Sequence, residues 1–75
     1  MQYKTLSTVP VGTAVRVDRL SSTGVHRRRL LDLGLTPGAR VTCLYAAPSG
    51  NPRAYAIRGA VVALRNQDAA HVLLQ

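Results

Sequence analysis

Apolar and polar residues alternate with a period of two along most of the chain, and turn-forming residues interrupt the alternation at short intervals. Leu6 and Val9 precede Pro10-Val11-Gly12, a Pro-x-Gly turn. Thr13 to Leu20 reads as a strand, with Val15 and Val17 inward and Arg16 and Asp18 outward. Ser21-Ser22-Thr23-Gly24 ends it and supplies hydroxyls suited to capping a helix N-terminus. From Val25 the period lengthens. Val25, Leu30, Leu31 and Leu33 are expected on one helical side, with Arg27, Arg28 and Asp32 toward solvent. Gly34 stands where a left-handed residue ends a helix, and Leu35 where a Schellman motif places its apolar contact. Thr36-Pro37-Gly38 then carries the Pro and Gly of a type II turn.

Strand spacing returns from Ala39 to Ala47, with Val41, Cys43 and Tyr45 on one face and Leu44 on the other. Pro48-Ser49-Gly50-Asn51-Pro52 is a loop. Ala54 to Arg58 and Ala60 to Leu64 read as two short strands joined across Gly59. Asn66 to Ala70 reads as one helical turn, and His71 to Leu74 as a last strand. The expected fold class is mainly β: a small barrel of about five strands with one short helix inserted after the first long strand. Closure of such a barrel is expected to remove its sheet edges.

Composition bounds this picture. At 75 residues the chain suits a single domain, residues 1–75, and 47% hydrophobic against 17% charged residues suits a folded one. A domain of this size buries only about 60% of its unfolded surface, so its core is small. No apolar run approaches the ~18 residues of a membrane-spanning helix. Met1-Gln2-Tyr3-Lys4-Thr5 lacks the apolar stretch of a signal peptide. Cys43 is unaccompanied, which excludes an internal disulfide and favours a reducing compartment.

Charge adds a constraint on partners. Nine Arg and one Lys face three Asp and no Glu, a net charge of +7. Such a surface attracts nucleic acid, anionic headgroups or an acidic protein patch. Most of the Arg residues are scattered singly, and Arg27-Arg28-Arg29 is the one run. Three successive helical residues fan across ~200°, so they do not all face one partner. Cationic side chains near a helix N-terminus also oppose its macrodipole, by a few tenths of a kcal/mol.

The segment Arg27-Arg28-Arg29-Leu30-Leu31-Asp32-Leu33-Gly34-Leu35-Thr36-Pro37-Gly38 resembles the signature of the FeoA family, small accessory proteins of bacterial ferrous-iron uptake. Ala47-Pro48-Ser49-Gly50-Asn51-Pro52 is similar to that family's Pro-x-Gly-Asp-Pro loop, with Asn51 in place of the usual Asp. Tyr55-Ala56-Ile57-Arg58-Gly59, then Val62-Ala63-Leu64-Arg65 and Asp68-Ala69, match the remaining blocks in order. Leu30, Gly34, Pro37, Gly38, Gly50, Pro52 and Gly59 are the structural positions of the motif. The resemblance implies an SH3-like β-barrel in the cytoplasm, at the inner face of the membrane, beside FeoB, an iron permease with a GTP-binding domain. It also implies an adaptor that binds the permease's cytosolic part and modulates transport. Arg27, Arg28 and Arg29, with Leu33 and Leu35, are the candidate partner-binding residues, toward an acidic protein patch or anionic headgroups. Self-association remains open.

The family is described as binding transition-metal ions, iron or zinc among them. The borderline or soft donors here are His26, His71, Cys43 and Met1, with Asp18, Asp32 and Asp68 as harder ones. None forms a CxxC, HxxxH or HxH cluster, so the residues supply no closed site, and three or four converging ligands are the norm. His26 and His71 are the metal candidates, with a contact between molecules the more plausible setting. No acid/base or nucleophile pair is evident, and no phosphate-binding glycine loop; the expectation is a non-enzymatic protein with no certain cofactor, a transition-metal ion (iron or zinc) being the one candidate. The competing reading is a basic barrel that binds nucleic acid or another polyanion. Against it, the chain has no Phe or Trp, and Tyr3, Tyr45 and Tyr55 are not interleaved with basic residues.

Overall fold

In the computed structural model, which describes residues 3–75, the alternating segments form five antiparallel strands in one sheet. These are β1 (Ala14–Leu20), β2 (Arg40–Ala46), β3 (Arg53–Ile57), β4 (Ala60–Leu64) and β5 (Val72–Leu74), in the order β4-β3-β2-β1-β5. Helix α1 (Gly24–Asp32) follows β1, and a single turn, α2 (Asn66–Ala69), precedes β5. The sheet wraps around one core. Val17 and Leu20 of β1, Val41 and Cys43 of β2, Tyr55 and Ile57 of β3, Leu64 of β4 and Val72 of β5 meet in a single buried cluster. A 3-10 turn, Leu6–Thr8, closes one end by inserting Leu6 and then Val9 into it.

Two bulges explain where the period-two reading slips. The β1–β5 register shifts between Val17 and Arg19. One extra residue there lets Val17 and Leu20, three apart, both face the core. On β2, Cys43 opposes Tyr55 and Tyr45 opposes Ala54, so Leu44 is the extra residue. The bulge turns Tyr45 outward, 59% exposed. Tyr45 therefore does not share the buried face of Val41 and Cys43 as expected.

The helix stop forms as expected. Gly34 has φ +103°, its N–H donates to Leu31 O (2.9 Å), and Leu35 N–H donates to Leu30 O (3.1 Å). These are the paired bonds of a Schellman motif, and its two apolar residues, Leu30 and Leu35, are both buried in the core. Each contributes about 2 kcal/mol relative to exposure. The helix start differs from expectation. Val25 is 82% exposed, because a five-residue separation sets it about 140° around the helix from Leu30. Thr23 occupies the N-cap position in extended geometry, but its hydroxyl makes no capping bond.

Arg58 and Gly59 both have positive φ, 51° and 79°, and Ile57 pairs with Ala60. They form a two-residue hairpin turn, so Arg58 is not the last residue of a strand. The loop from Pro48 to Pro52, which includes a cis Asn51–Pro52 bond, is held to α2 rather than left free. Asn51 Oδ1 accepts from Asn66 N–H (3.0 Å) and Asn66 Nδ2 donates to Gly50 O (3.1 Å).

Closure is incomplete. The far side of β5 is covered by the N-terminal segment, through a bridge from Thr5 to Leu73 and a bond from Leu74 N–H to Lys4 O (2.9 Å). Among the described residues no strand pairs with the far side of β4. The expectation that the barrel leaves no edge is corrected at this strand.

Candidate functional site

Helix α1 presents the basic run. Arg27, Arg28 and Arg29 are all exposed, and Arg27 and Arg28 border a shallow recess of about 400 Å³ with Gly24, Leu31 and Asp32. Only Arg27 stands in the first turn, against the helix dipole, whereas Arg29 lies in the last turn, where a cation is favoured. Leu33, at the C-cap of α1, is half-buried and packs against the core. Leu35 is fully buried: as the apolar partner in the helix stop it belongs to the core and offers nothing to a docking partner.

The structure brings His26 and His71 to one place, though 45 positions separate them in sequence. Both line a surface cavity of about 340 Å³ with Ser21, Ser22 and Asp68. His71 Nδ1 is engaged by Ser21 Oγ at 3.0 Å. Ser22 is buried and its hydroxyl has no hydrogen-bond partner. Yet among the described residues no three His, Cys, Asp or Glu side chains come within range of a shared metal ion. Cys43 is wholly buried and its Sγ accepts a hydrogen bond from Arg53, so it faces the barrel interior. Met1, the remaining sulfur donor, lies outside the described residues. Among the described residues, then, the donors do not gather into a chelating site.

Arg53 turns out to be a fastening rather than one more dispersed surface charge. Its guanidinium donates to Ser7 O (2.8 Å), to Val9 O and to Cys43 Sγ, and stands 5.6 Å from the Tyr55 ring centroid. A planar fork of donors can bridge two carbonyls at once, which clamps residues 7–9 onto β3. Tyr55 beneath it is fully buried with no partner for its hydroxyl. Burial pushes its phenol above the usual value of 10.0, although the positive charge of Arg53 acts in the opposite sense.

A further surface escaped the sequence reading. The outward bulge of Tyr45 places its ring beside Val61 (63% exposed) and Ala63, and with Pro48 and Pro52 they line an open groove of about 410 Å³. Strict alternation puts Tyr45 inward, and alternation within β4 does not reveal that its outer face stays uncovered.

A profile of the FeoA domain matches residues 4–75 of the chain. The chain is 34% identical over 67 residues to an Fe(2+) transport protein A/Fe(2+) transporter FeoB fusion protein of Porphyromonas gingivalis, strain ATCC BAA-308 / W83. That match takes in 89% of this chain and 8% of the fusion protein, so the chain spans less than a tenth of its curated relative. Among solved structures, a FeoA protein from Chlorobium tepidum superimposes with a TM-score of 0.87 at 31% identity, covering 95% of this chain and 68% of that one. FeoA of Stenotrophomonas maltophilia, solved with zinc and described as a prokaryotic SH3 domain protein, gives 0.86 at 27% identity, covering 97% and 91%. The two share the SH3-like fold.

Proposed function

The chain belongs to the FeoA family, and from that premise we propose that it is a non-enzymatic accessory of a bacterial ferrous-iron uptake system. In this reading it docks on the cytosolic part of a FeoB-type transporter and modulates transport. The observation that carries the proposal is the P. gingivalis relative, in which a similar sequence is joined covalently to the transporter. Fusion holds the two at high effective concentration, which is useful where separate chains must meet.

The residues are compatible with this role. Arg27, Arg28 and Arg29 stand exposed on α1 and form a basic face for an acidic protein patch or for headgroups at the cytosolic membrane surface. Among the described residues no helix is long and apolar enough to cross a membrane. We assign no resident metal to the chain. An ion held by His26 or His71 would draw its remaining donors from a second molecule. A nucleic-acid partner is disfavoured, because the chain has no Phe or Trp and, with Tyr55 buried, Tyr45 is the one exposed tyrosine ring among the described residues, too few for a stacking platform.

Titration of the purified protein against the cytosolic part of a FeoB-type transporter, at low and moderate salt, tests the reading. Binding that weakens with salt is expected of a basic docking face. No binding to that part, and none to the whole transporter in detergent, would overturn it.

A further inference from the structure

We propose that the free edge of β4 receives an extended segment of a partner protein as a sixth strand, with apolar side chains at alternate positions and carboxylates at its ends. A two-residue turn with φ of 51° and 79° makes Ile57 and Ala60 a hydrogen-bonded pair. Bonded and non-bonded pairs alternate along an antiparallel ladder, so Tyr55–Val62 and Arg53–Leu64 are the next bonded pairs. Val61 and Ala63 consequently turn their N–H and C=O groups away from β3, toward the side on which no described strand lies. Their side chains are also exposed.

Edges in native proteins are ordinarily guarded by charge, proline or a covering segment. The sequence of β4, Ala-Val-Val-Ala-Leu, contains no such guard, while the opposite edge, on β5, is covered by residues 4 and 5. The unguarded strand borders the apolar groove of Tyr45, Pro48, Pro52 and Val61. An added strand would thus satisfy main-chain groups at the edge and set alternate side chains against this groove, the usual division of affinity and specificity in strand addition.

Charge selects the occupant. Arg58 and Arg65 flank β4 in sequence, both exposed, with the Arg58 guanidinium also donating to Thr36 Oγ1 (3.0 Å). Antiparallel pairing of two copies about Val62 would bring the Arg58 end of each onto the Arg65 end of the other, between chains of net charge +7. Self-pairing is therefore opposed, and a strand with carboxylates at its ends is favoured. This inference is independent of whether the partner is the transporter.

The test uses the whole chain and an acetylated, amidated peptide, Asp-Val-Thr-Val-Thr-Val-Asp, followed by amide NMR and hydrogen exchange. At saturation, exchange of the Val61 and Ala63 amides should slow about tenfold or more. The same peptide with Lys in place of Asp should bind several-fold more weakly at low salt, the difference shrinking near 0.5 M salt. Ala63→Pro removes an N–H that the β3–β4 ladder does not use, so the variant should keep its fold and lose the peptide. Val61→Lys, which guards the edge without touching the backbone, should also lose it. Unchanged exchange at Val61 and Ala63, shifts confined to α1, or full binding by both variants would overturn the proposal. So would a concentration-dependent dimer abolished by Ala63→Pro, since the edge would then belong to a second copy.

Discussion

The Oδ1 of Asn51 accepts the backbone N–H of Asn66 at 3.0 Å, so a loop residue fifteen positions away caps the first residue of α2. The local N-cap, Arg65, makes no side-chain capping bond, and the loop supplies it instead. Asn51→Ala should lower stability by about 1 kcal/mol, the usual worth of a cap. Asn51→Asp should match or exceed the parent chain, because a carboxylate accepts the same bond near a helix N-terminus. Urea melts of the three proteins decide it: an Asn51→Ala midpoint equal to the parent's would show the cap to be idle.

Gly34 is constrained twice. Its φ of +103° excludes most side chains, and a Cβ built there would stand 3.0 Å from Ile57 Cγ2 and 3.2 Å from Arg58 Cδ. Gly50 has a comparable φ of +86° but open space around it. Gly50→Ala should therefore cost about 1 kcal/mol, the backbone penalty alone, and Gly34→Ala about 2–3 kcal/mol, with displacement of the β3–β4 hairpin added. Equal losses at the two sites would mean that the crowding at Gly34 is relieved without cost.

Legibility in the sequence divides along the same physical line. The Schellman stop could be read because Gly34, Leu30 and Leu35 are all local and each has a required residue type. The strands and α2 could be read because alternation and turn residues are local too. The bulges at Leu44 and near Asp18 could not, since an extra residue is defined only against the partner strand. Alternation alone misplaces Tyr45 for that reason, and hides the outer groove with it. The clamp of Arg53 on Ser7 and Val9 spans more than 40 positions, and no spacing rule announces it. The meeting of His26 and His71 is likewise a product of the fold. At Leu35 the local pattern specifies the apolar contact, whereas a docking role needs an exposure that the core denies.

The Arg53 clamp makes its own prediction. Arg53→Ala leaves two carbonyls without their donor, and Arg53→Lys offers one ammonium in place of a bridging fork. Losses of about 2 kcal/mol for Ala, and most of that for Lys, are expected from hydrogen bonds to a charged group. Amide exchange should accelerate first around residues 6–9. Uniform acceleration across the sheet would argue against a local fastening.

Tyr55 offers a stability change that depends on pH. Its phenol is raised in the folded protein, while in the unfolded chain it ionises near pH 10. Above about pH 10 the folded state holds the proton that the unfolded state releases, so this group's contribution is intact below that point and declines as pH rises through the unfolded and then the folded value. Tyr55→Phe removes a buried hydroxyl that has no partner, so at neutral pH it should be neutral or stabilise by up to about 1 kcal/mol. Its denaturation midpoint should fall less than the parent's between pH 9 and 11. Parallel curves would show that other groups dominate the alkaline limb.

The basic face of α1 is tested by separating its effect on binding from its effect on folding. Arg27, Arg28 and Arg29 are exposed and lie outside the core, so replacing all three with Gln should change the melting temperature by no more than a few degrees. Losing the cation at Arg27 slightly favours the helix and losing that at Arg29 slightly disfavours it, each by a few tenths of a kcal/mol. If this face meets an acidic surface on the transporter, the variant should bind about tenfold or more weakly at low salt, because long-range attraction raises association rates steeply there. Near 0.5 M salt the two proteins should converge, since exposed charges are then screened within a few ångströms. Strand addition at β4 would survive these substitutions, since Val61, Ala63, Arg58 and Arg65 are untouched. A variant that retains parental affinity and parental salt dependence would remove α1 from the docking surface and leave the β4 edge to account for any binding observed.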